Sequence, residues 1–336
     1  MNKKQAVIVG CGAIAPIHAA AIEASDYVQL YGVCDIISER MSVIDGDGRP
    51  QGSPLRFASI ADVIADPNVD AVHICTPHHL HHDMVLACAK VGKAIILEKP
   101  VAITMEELQS LSNVEVPTMT VLQNRHNTSV IKAKEIIESC QFGKLLGLRG
   151  NVFWLRDAEY YASGDWRGKW ATEGGGVVIN QSIHTLDLLD WLGGGATHIK
   201  GSTDNRWLGD AIEVEDTAEA TLYFSGDVRG HFFATNANCR SESVEIVLHF
   251  ENDTLRYKDG TLTNSKGEII AEDSTSDGGK ACWGDGHKEV IDNFYSTLAG
   301  KSAPYPTLGD GIRATALALS LYQSARTGEE IKINFS

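Results

Sequence analysis

Three groups of residues in this 336-residue sequence have types and spacing that could do chemistry. The first is Gly10-Cys-Gly12-Ala13-Ile14-Ala15, which follows the apolar run Ala6-Val-Ile-Val and opens a helical stretch. In a strand, glycine turn and helix of this kind, Gly10 permits the tight turn and Gly12 lets the backbone approach a pyrophosphate at the positive end of the helix. Ala15 keeps that helix close to the sheet. Asp35, where the second apolar run ends, can accept hydrogen bonds from adenosine ribose hydroxyls. Together these predict a nicotinamide dinucleotide site formed by Gly10, Gly12, Ala13, Ile14 and Asp35. The Asp35 carboxylate repels a 2′-phosphate and so favours NAD, while Arg40 could reach such a phosphate and keeps NADP open.

The second group is Thr76-Pro77-His78-His79-Leu-His81 together with Glu98-Lys99-Pro100. Each follows an apolar run and falls where open α/β sheets bind ligands, at strand carboxyl ends. A lysine followed by proline sits on a fixed backbone, and its ammonium can bind a substrate oxygen and stabilise developing alkoxide charge. Glu98 would orient or balance it. The third group is Asn180 and His184, in an apolar stretch from about Val177 to Leu192 that reads as one helix. Their spacing puts both on one helix face, with Asp187 a turn further on. An imidazole with its ordinary pKa of about 6.5 suits proton transfer. Asn180 cannot titrate and would orient a substrate hydroxyl or His184.

Two other segments carry polar chemistry. Tyr160, Tyr161, Trp166, Arg167 and Trp170 offer flat rings and guanidinium donors in a predicted loop, a composition suited to sugar rings and phosphate oxygens. His78, His79, His81 and His82 invite a metal reading, but no cysteine or carboxylate cluster stands near them in sequence, and no metal is expected.

The elements that must position these residues read as two domains. Over residues 1–123, short apolar runs alternate with amphipathic stretches, the pattern of a doubly wound parallel sheet covered on both faces. Residues 124–336 read as an α+β domain with an open, mainly antiparallel sheet for substrate binding and oligomerisation. Its last helix is expected to pack back on the first domain. Asp45 to Pro50 reads as a surface loop. A net charge of −15, dispersed along the chain, argues against nucleic acid as a partner. No run reaches the roughly 20 apolar residues of a membrane helix, and no signal-peptide pattern opens the chain, so a cytoplasmic location is expected. Seven scattered cysteines fit reduced thiols.

Taken together, Gly10-x-Gly-x-x-Ala15, Thr76-Pro-His-His-Leu-His81 and Glu98-Lys-Pro100 resemble the glucose-fructose oxidoreductase and inositol dehydrogenase family (Gfo/Idh/MocA), which is marked by such a Glu-Lys-Pro tripeptide. The resemblance continues through Asp165-Trp-Arg-Gly168, Glu173 to His184, and the closing region from Gly286 to Gly328. It implies that Lys99 and His184 belong to a Lys-Asp-His set facing the nicotinamide, with Asn180 standing where the family carries Asp. It also implies that the Thr76-Pro77 backbone and His81 lie beside the nicotinamide ribose. Glu98, Lys99, Asn124, Trp166 and Arg167 complete the implied cofactor contacts, and His78 stands where an asparagine is common. Lys99, Tyr161, Arg167, Asn180 and His184 are the expected substrate contacts.

The expected function is hydride transfer between nicotinamide and the carbinol or carbonyl carbon of a sugar, cyclitol or nucleotide sugar. Asn180 feeds a second reading, a dinucleotide-binding sensor without turnover. An open sheet would expose a broad apolar face, so a homodimer or homotetramer is expected.

Overall fold

The computed structural model describes residues 3–44, 53–274 and 286–335. The segment Asp45 to Pro50 lies outside them. The chain divides into two compact units. Unit 1 comprises Met1–Ala102, Glu106–Val121 and Gly286–Gly311, and unit 2 comprises Ile103–Met105, Leu122–Asp285 and Ile312–Ser336.

In unit 1 the apolar runs seen in the sequence form β1 (Lys4–Val9), β2 (Val28–Cys34), β4 (Ala71–Ile74), β5 (Ala94–Leu97) and β6 (Thr118–Thr120), while β3 (Leu55–Phe57), a short and largely exposed strand, is not among them. They pair in parallel in the order β3-β2-β1-β4-β5-β6. Every residue of β4 and β5 is buried, as a sheet covered on both faces requires. The connections carry α1 (Ala15–Ala24), α2 (Ser38–Met41), α3 (Ile60–Ala65), α4 (His81–Lys90) and α5 (Met105–Leu111). The strand order reverses between β1 and β4, which makes the carboxyl ends of those strands the natural ligand crevice.

In unit 2, α6 (Thr128–Glu138) precedes β7 (Leu145–Phe153), α7 (Ala158–Ala162) and α8 (Ile183–Gly193). Then come β8 (His198–Asp204), β9 (Thr217–Tyr223), β10 (Arg229–Thr235), β11 (Glu245–Phe250), β12 (Thr254–Lys258), β13 (Thr261–Thr263) and β14 (Ile269–Glu272). After α9 (Gly286–Leu298) and α10 (Leu308–Thr327), β15 (Ile331–Lys332) closes the sheet in the order β14-β13-β12-β11-β7-β10-β9-β8-β15. All neighbours are antiparallel except β7 and β10. Gly150 lets α8 lie close on this sheet, because a Cβ there would come within 2.8 Å of Thr185 Cγ2.

Two expectations are corrected. Residues 286–311, read in the sequence as part of the second domain, cluster with unit 1: α9 packs on α1, and Phe294 and Tyr295 are fully buried in one cluster with Ile8 and Ile22. Within α10, residues 308–311 cluster with unit 1 and residues 312–327 with unit 2. Secondly, the stretch read as a loop around Tyr160 contains α7, capped by the Asp157 carboxylate, which accepts from the Tyr160 N–H at 2.9 Å. Among the described residues no helix is long and apolar enough to cross a membrane.

Candidate active site

The glycine loop of unit 1 is shaped by its neighbours. Gly10 has φ +92°, and a Cβ there would come within 2.6 Å of Cys75 O, so only glycine lets β1 turn against the end of β4. A Cβ on Gly12 would meet nothing within 4 Å, which leaves room above the start of α1. Gly12 and Ala13 are exposed and Ile14 is half-buried. Asp35 ties β2 to this loop: Oδ2 accepts from the Cys11 N–H at 2.7 Å and Oδ1 from the Ile37 N–H at 2.8 Å. Arg40 is exposed in α2.

The Thr76-Pro77 and Lys99-Pro100 loops are joined by one buried ring. His81 Nδ1 lies 2.6 Å from Pro100 O, and Nε2 lies 2.8 Å from Thr76 O. Both partners are acceptors, so a neutral ring satisfies only one at a time, and burial holds this imidazole below its ordinary pKa. His81 thus spans two loops at the carboxyl edge, with each ring nitrogen facing a backbone carbonyl. His82 faces Asp83 at 2.8 Å and His78 is buried.

Behind Lys99 runs a buried chain of polar groups that the sequence analysis missed. Glu98 Oε1 lies 3.0 Å from His18 Nε2, and His18 Nδ1 lies 2.7 Å from His73 Nδ1. His73 Nε2 lies 2.7 Å from the Tyr295 hydroxyl. Glu98 Oε2 accepts from the Lys99 N–H at 3.3 Å. Burial pushes the Glu98 carboxyl up. The hydrogen bond and charge of His18, with the charges of His287 and Lys99, outweigh burial and hold it at about 2. His73 is depressed well below the usual histidine range by burial and by His18, so it is neutral.

An ionised carboxylate only accepts, so His18 Nε2–H donates to Glu98. His73, being neutral, donates from one ring nitrogen and accepts at the other, toward His18 on one side and Tyr295 on the other. The sequence signal was a lone polar residue, His73, in the otherwise apolar Ala71–Ile74 run.

In unit 2 the expected helix from Val177 to Leu192 is broken, which corrects the four-apart reading of Asn180 and His184. Val177–Gln181 forms a π turn, Ser182 departs from helical angles, and α8 begins at Ile183. The cause is capture of backbone groups. The Glu215 carboxylate accepts from the N–H groups of Gly176 at 2.9 Å and Val178 at 3.0 Å, and Ser182 Oγ donates to Val177 O at 2.6 Å. Asn180 therefore sits in the wide turn and His184 in α8. Asn180 Nδ2 donates to Glu173 Oε1 at 2.5 Å, and Glu173 Oε2 accepts from the Gly168 N–H at 2.5 Å. Asn180 thus has a fully buried carboxylate directly behind it. Asp187 does not extend a stripe with His184: its two oxygens take Arg125 Nη2 at 2.6 Å and Nε at 2.9 Å. Asn124 precedes that arginine in a 3-10 turn, with its Oδ1 buried and without a hydrogen-bond partner.

The aromatic segment divides by burial. Tyr161, expected at the substrate, is 4% exposed, packs with Leu208, Ile212 and Val214, and accepts from Asn236 Nδ2 at 2.9 Å. Adjacent helical residues point about 100° apart, and here Tyr161 is the one turned into that cluster. Tyr160 is the half-buried one, beside Trp166 and Arg167. Trp170 is 41% exposed and donates Nε1–H to Glu213 O at 2.8 Å.

Two family patterns match the chain: the Gfo/Idh/MocA oxidoreductase family with NAD-binding Rossmann fold over residues 4–126, and the Gfo/Idh/MocA C-terminal domain over residues 130–256. The chain belongs to the Gfo/Idh/MocA oxidoreductase family. Its backbone is similar to the WlbA dehydrogenase from Bordetella pertussis, solved with NADH and UDP-GlcNAcA, at TM-score 0.85 and 29% identity over 100% of both chains. It is 26% identical over 270 residues to the myo-inositol 2-dehydrogenase of Thermotoga maritima, covering 79% of this chain and 70% of that one. It is 22% identical over 310 residues to the levoglucosan dehydrogenase of Pseudarthrobacter phenanthrenivorans, covering 78% and 80%.

This Gfo/Idh/MocA oxidoreductase is a nicotinamide-dependent dehydrogenase or reductase with an NAD-binding Rossmann domain. Its own residues fit that cofactor. The open space over Gly12, the forced turn at Gly10 and the carboxylate at the end of β2 form the cradle a dinucleotide needs. Ile36, 93% exposed next to Asp35, is a further residue at this edge that sequence reasoning passed over.

Proposed function

We propose that this oxidoreductase uses NAD to move a hydride to or from a carbinol carbon of a sugar, cyclitol or nucleotide sugar. The observation that carries the reading is the ionised Glu98 beside Lys99 at the carboxyl end of β5, on the same edge as the glycine loop. The relatives with named substrates act on or were solved with polyhydroxylated molecules: levoglucosan, myo-inositol and UDP-GlcNAcA. When bound, the cofactor supplies the hydride acceptor or donor, so the chain has only to bind, orient and handle a proton. Lys99 holds the substrate oxygen and stabilises alkoxide charge on it. His184 takes the carbinol proton, and Asn180, anchored by Glu173, orients a neighbouring hydroxyl. Trp166, Arg167 and Asn124 contact the cofactor. The broad open sheet of unit 2, with Leu146 at 55% and Ile269 at 59% exposure, supports a homo-oligomer. Sedimentation that stays monomeric across concentration would count against that last point.

The test is the purified chain with NAD or NADP and a panel of sugars, cyclitols and nucleotide sugars, read as reduced-nicotinamide absorbance. Turnover with NAD on at least one polyol is expected. Tight nucleotide binding with no redox change across the panel would overturn the catalytic reading.

A further inference from the structure

Five side chains around α7 form a ladder in which cations alternate with rings. The Arg156 guanidinium carbon lies 4.8 Å from the Trp154 ring centre and 5.1 Å from that of Tyr160. The Arg167 carbon lies 5.0 Å from the Tyr160 centre and 4.9 Å from that of Trp166. These cation–ring contacts hold the guanidiniums in place without using their N–H donors. The two Tyr160 distances laid end to end put the cations no more than about 10 Å apart, close to one screening length in physiological salt, so each feels the other.

Among the described residues neither guanidinium forms a salt bridge, in a chain whose net charge is −15. Arg156 Nη1 donates to Leu155 O at 2.7 Å and to Ser241 Oγ at 3.3 Å. Arg167 Nη1 donates to Ser163 Oγ at 3.2 Å, and its Nε is buried with no hydrogen-bond partner. The adjacent Asp157 uses Oδ1 to cap α7. The ladder is also tied to the turn that carries Asn180, since Gln181 Nε2 donates to the Tyr160 hydroxyl at 3.2 Å.

We propose that Arg156 and Arg167, held on Tyr160, form an oxyanion subsite, and that the natural substrate is an acidic sugar derivative bearing a carboxylate or phosphate. Two guanidinium edges without a carboxylate partner present planar donors matched to an oxyanion. The Gln181 link puts that group beside the turn that orients the reacting sugar. The inference rests on the proposed function for the identity of that neighbouring site. Family resemblance gives Arg167 a cofactor contact as well, which makes Arg156 the discriminating residue.

The test is isothermal titration of the full chain loaded with NADH. The probes are glucose, glucuronate, glucose 6-phosphate, UDP-glucose, UDP-glucuronate and inorganic pyrophosphate. Acidic members are expected to bind at least about tenfold tighter than glucose and to weaken as NaCl rises, and the ranking among them separates carboxylate from phosphate. Arg156→Gln is expected to lose about tenfold for the acids, with NADH affinity and glucose binding unchanged, and Arg156→Lys to recover part of the loss. Equal binding of acids and glucose, binding by none of the anions, or acid affinity indifferent to Arg156→Gln overturns the proposal. Should the Gln variant not fold, the salt dependence of the wild type and the Lys variant still decide it. Anion binding without redox change leaves the subsite standing and removes the catalytic reading. Turnover of neutral sugars that ignores Arg156 does the reverse.

Discussion

Glu98 and Glu215 are both buried glutamates that accept several hydrogen bonds, one in each unit, yet they are driven in opposite directions. Burial raises both. At Glu98 the partners include His18, His287 and Lys99, and the carboxyl falls from 4.5 to about 2. At Glu215 the partners are the N–H groups of Val178 and Gly176 and the Tyr322 hydroxyl, all neutral, and the carboxyl rises to about 7. The lesson is that neutral donors satisfy a buried carboxylate without repaying the loss of water, whereas nearby cations do. Unit 1 therefore holds a permanent anion beside Lys99, and unit 2 fastens its π turn with a carboxyl that is half-neutral near pH 7.

The largest break in this comparison is Lys99→Met, which removes a cation beside Glu98 and the donor to the substrate oxygen. A loss of about a thousandfold in kcat is expected, measured by reduced-nicotinamide absorbance on whichever polyol turns over. A change under tenfold would remove Lys99 from the chemistry.

The two glutamates then give mirror-image pH dependences. For Glu215, the folded pKa lies above the unfolded one, so the folded chain binds more protons from about 4.5 to 7 and stability falls as pH rises through that window. Relative to Glu215→Gln, the wild type is expected to lose roughly 3 kcal/mol between pH 4 and pH 8. For Glu98 the folded pKa is depressed, so its contribution is present above about 4.5 and is lost as pH falls through about 2. Relative to Glu98→Gln, the wild type loses a similar amount on acidification. Urea titrations of both pairs across pH check the signs, and parallel curves for wild type and variant would refute either assignment. The smallest effect is expected from Tyr295→Phe. It leaves His73 Nε2 without its buried hydrogen-bond partner and costs about 1–3 kcal/mol in the same assay, with nucleotide affinity unchanged.

Much of unit 1 was legible because its strands are continuous apolar runs bounded by turn residues, and its ligand motifs fall at strand ends by local sequence alone. Pairing across long separations was not. His18, His73 and Tyr295 sit in three different segments, and only His73, polar in an apolar strand, hinted at them. The π turn was hidden for the same reason: Val177 to Leu192 has helical composition, and the carboxylate that widens it comes from Glu215, on a separate segment before β9. Tyr160 and Tyr161 are chemically identical neighbours, so only the core of Leu208, Ile212 and Val214 decides which one turns inward.

That π turn has a consequence for how the chain can change. A π turn holds one residue more than an α turn, so removing a single residue between Gly176 and Ser182 would let the segment close into ordinary helix. Everything ahead of the deletion would then swing by about 100° around the axis of α8, carrying the side chain at position 180 to another face. Spacing here acts as an angular setting, and the number of residues in the turn constrains where Asn180 points at least as tightly as the choice of asparagine or aspartate constrains what it can do.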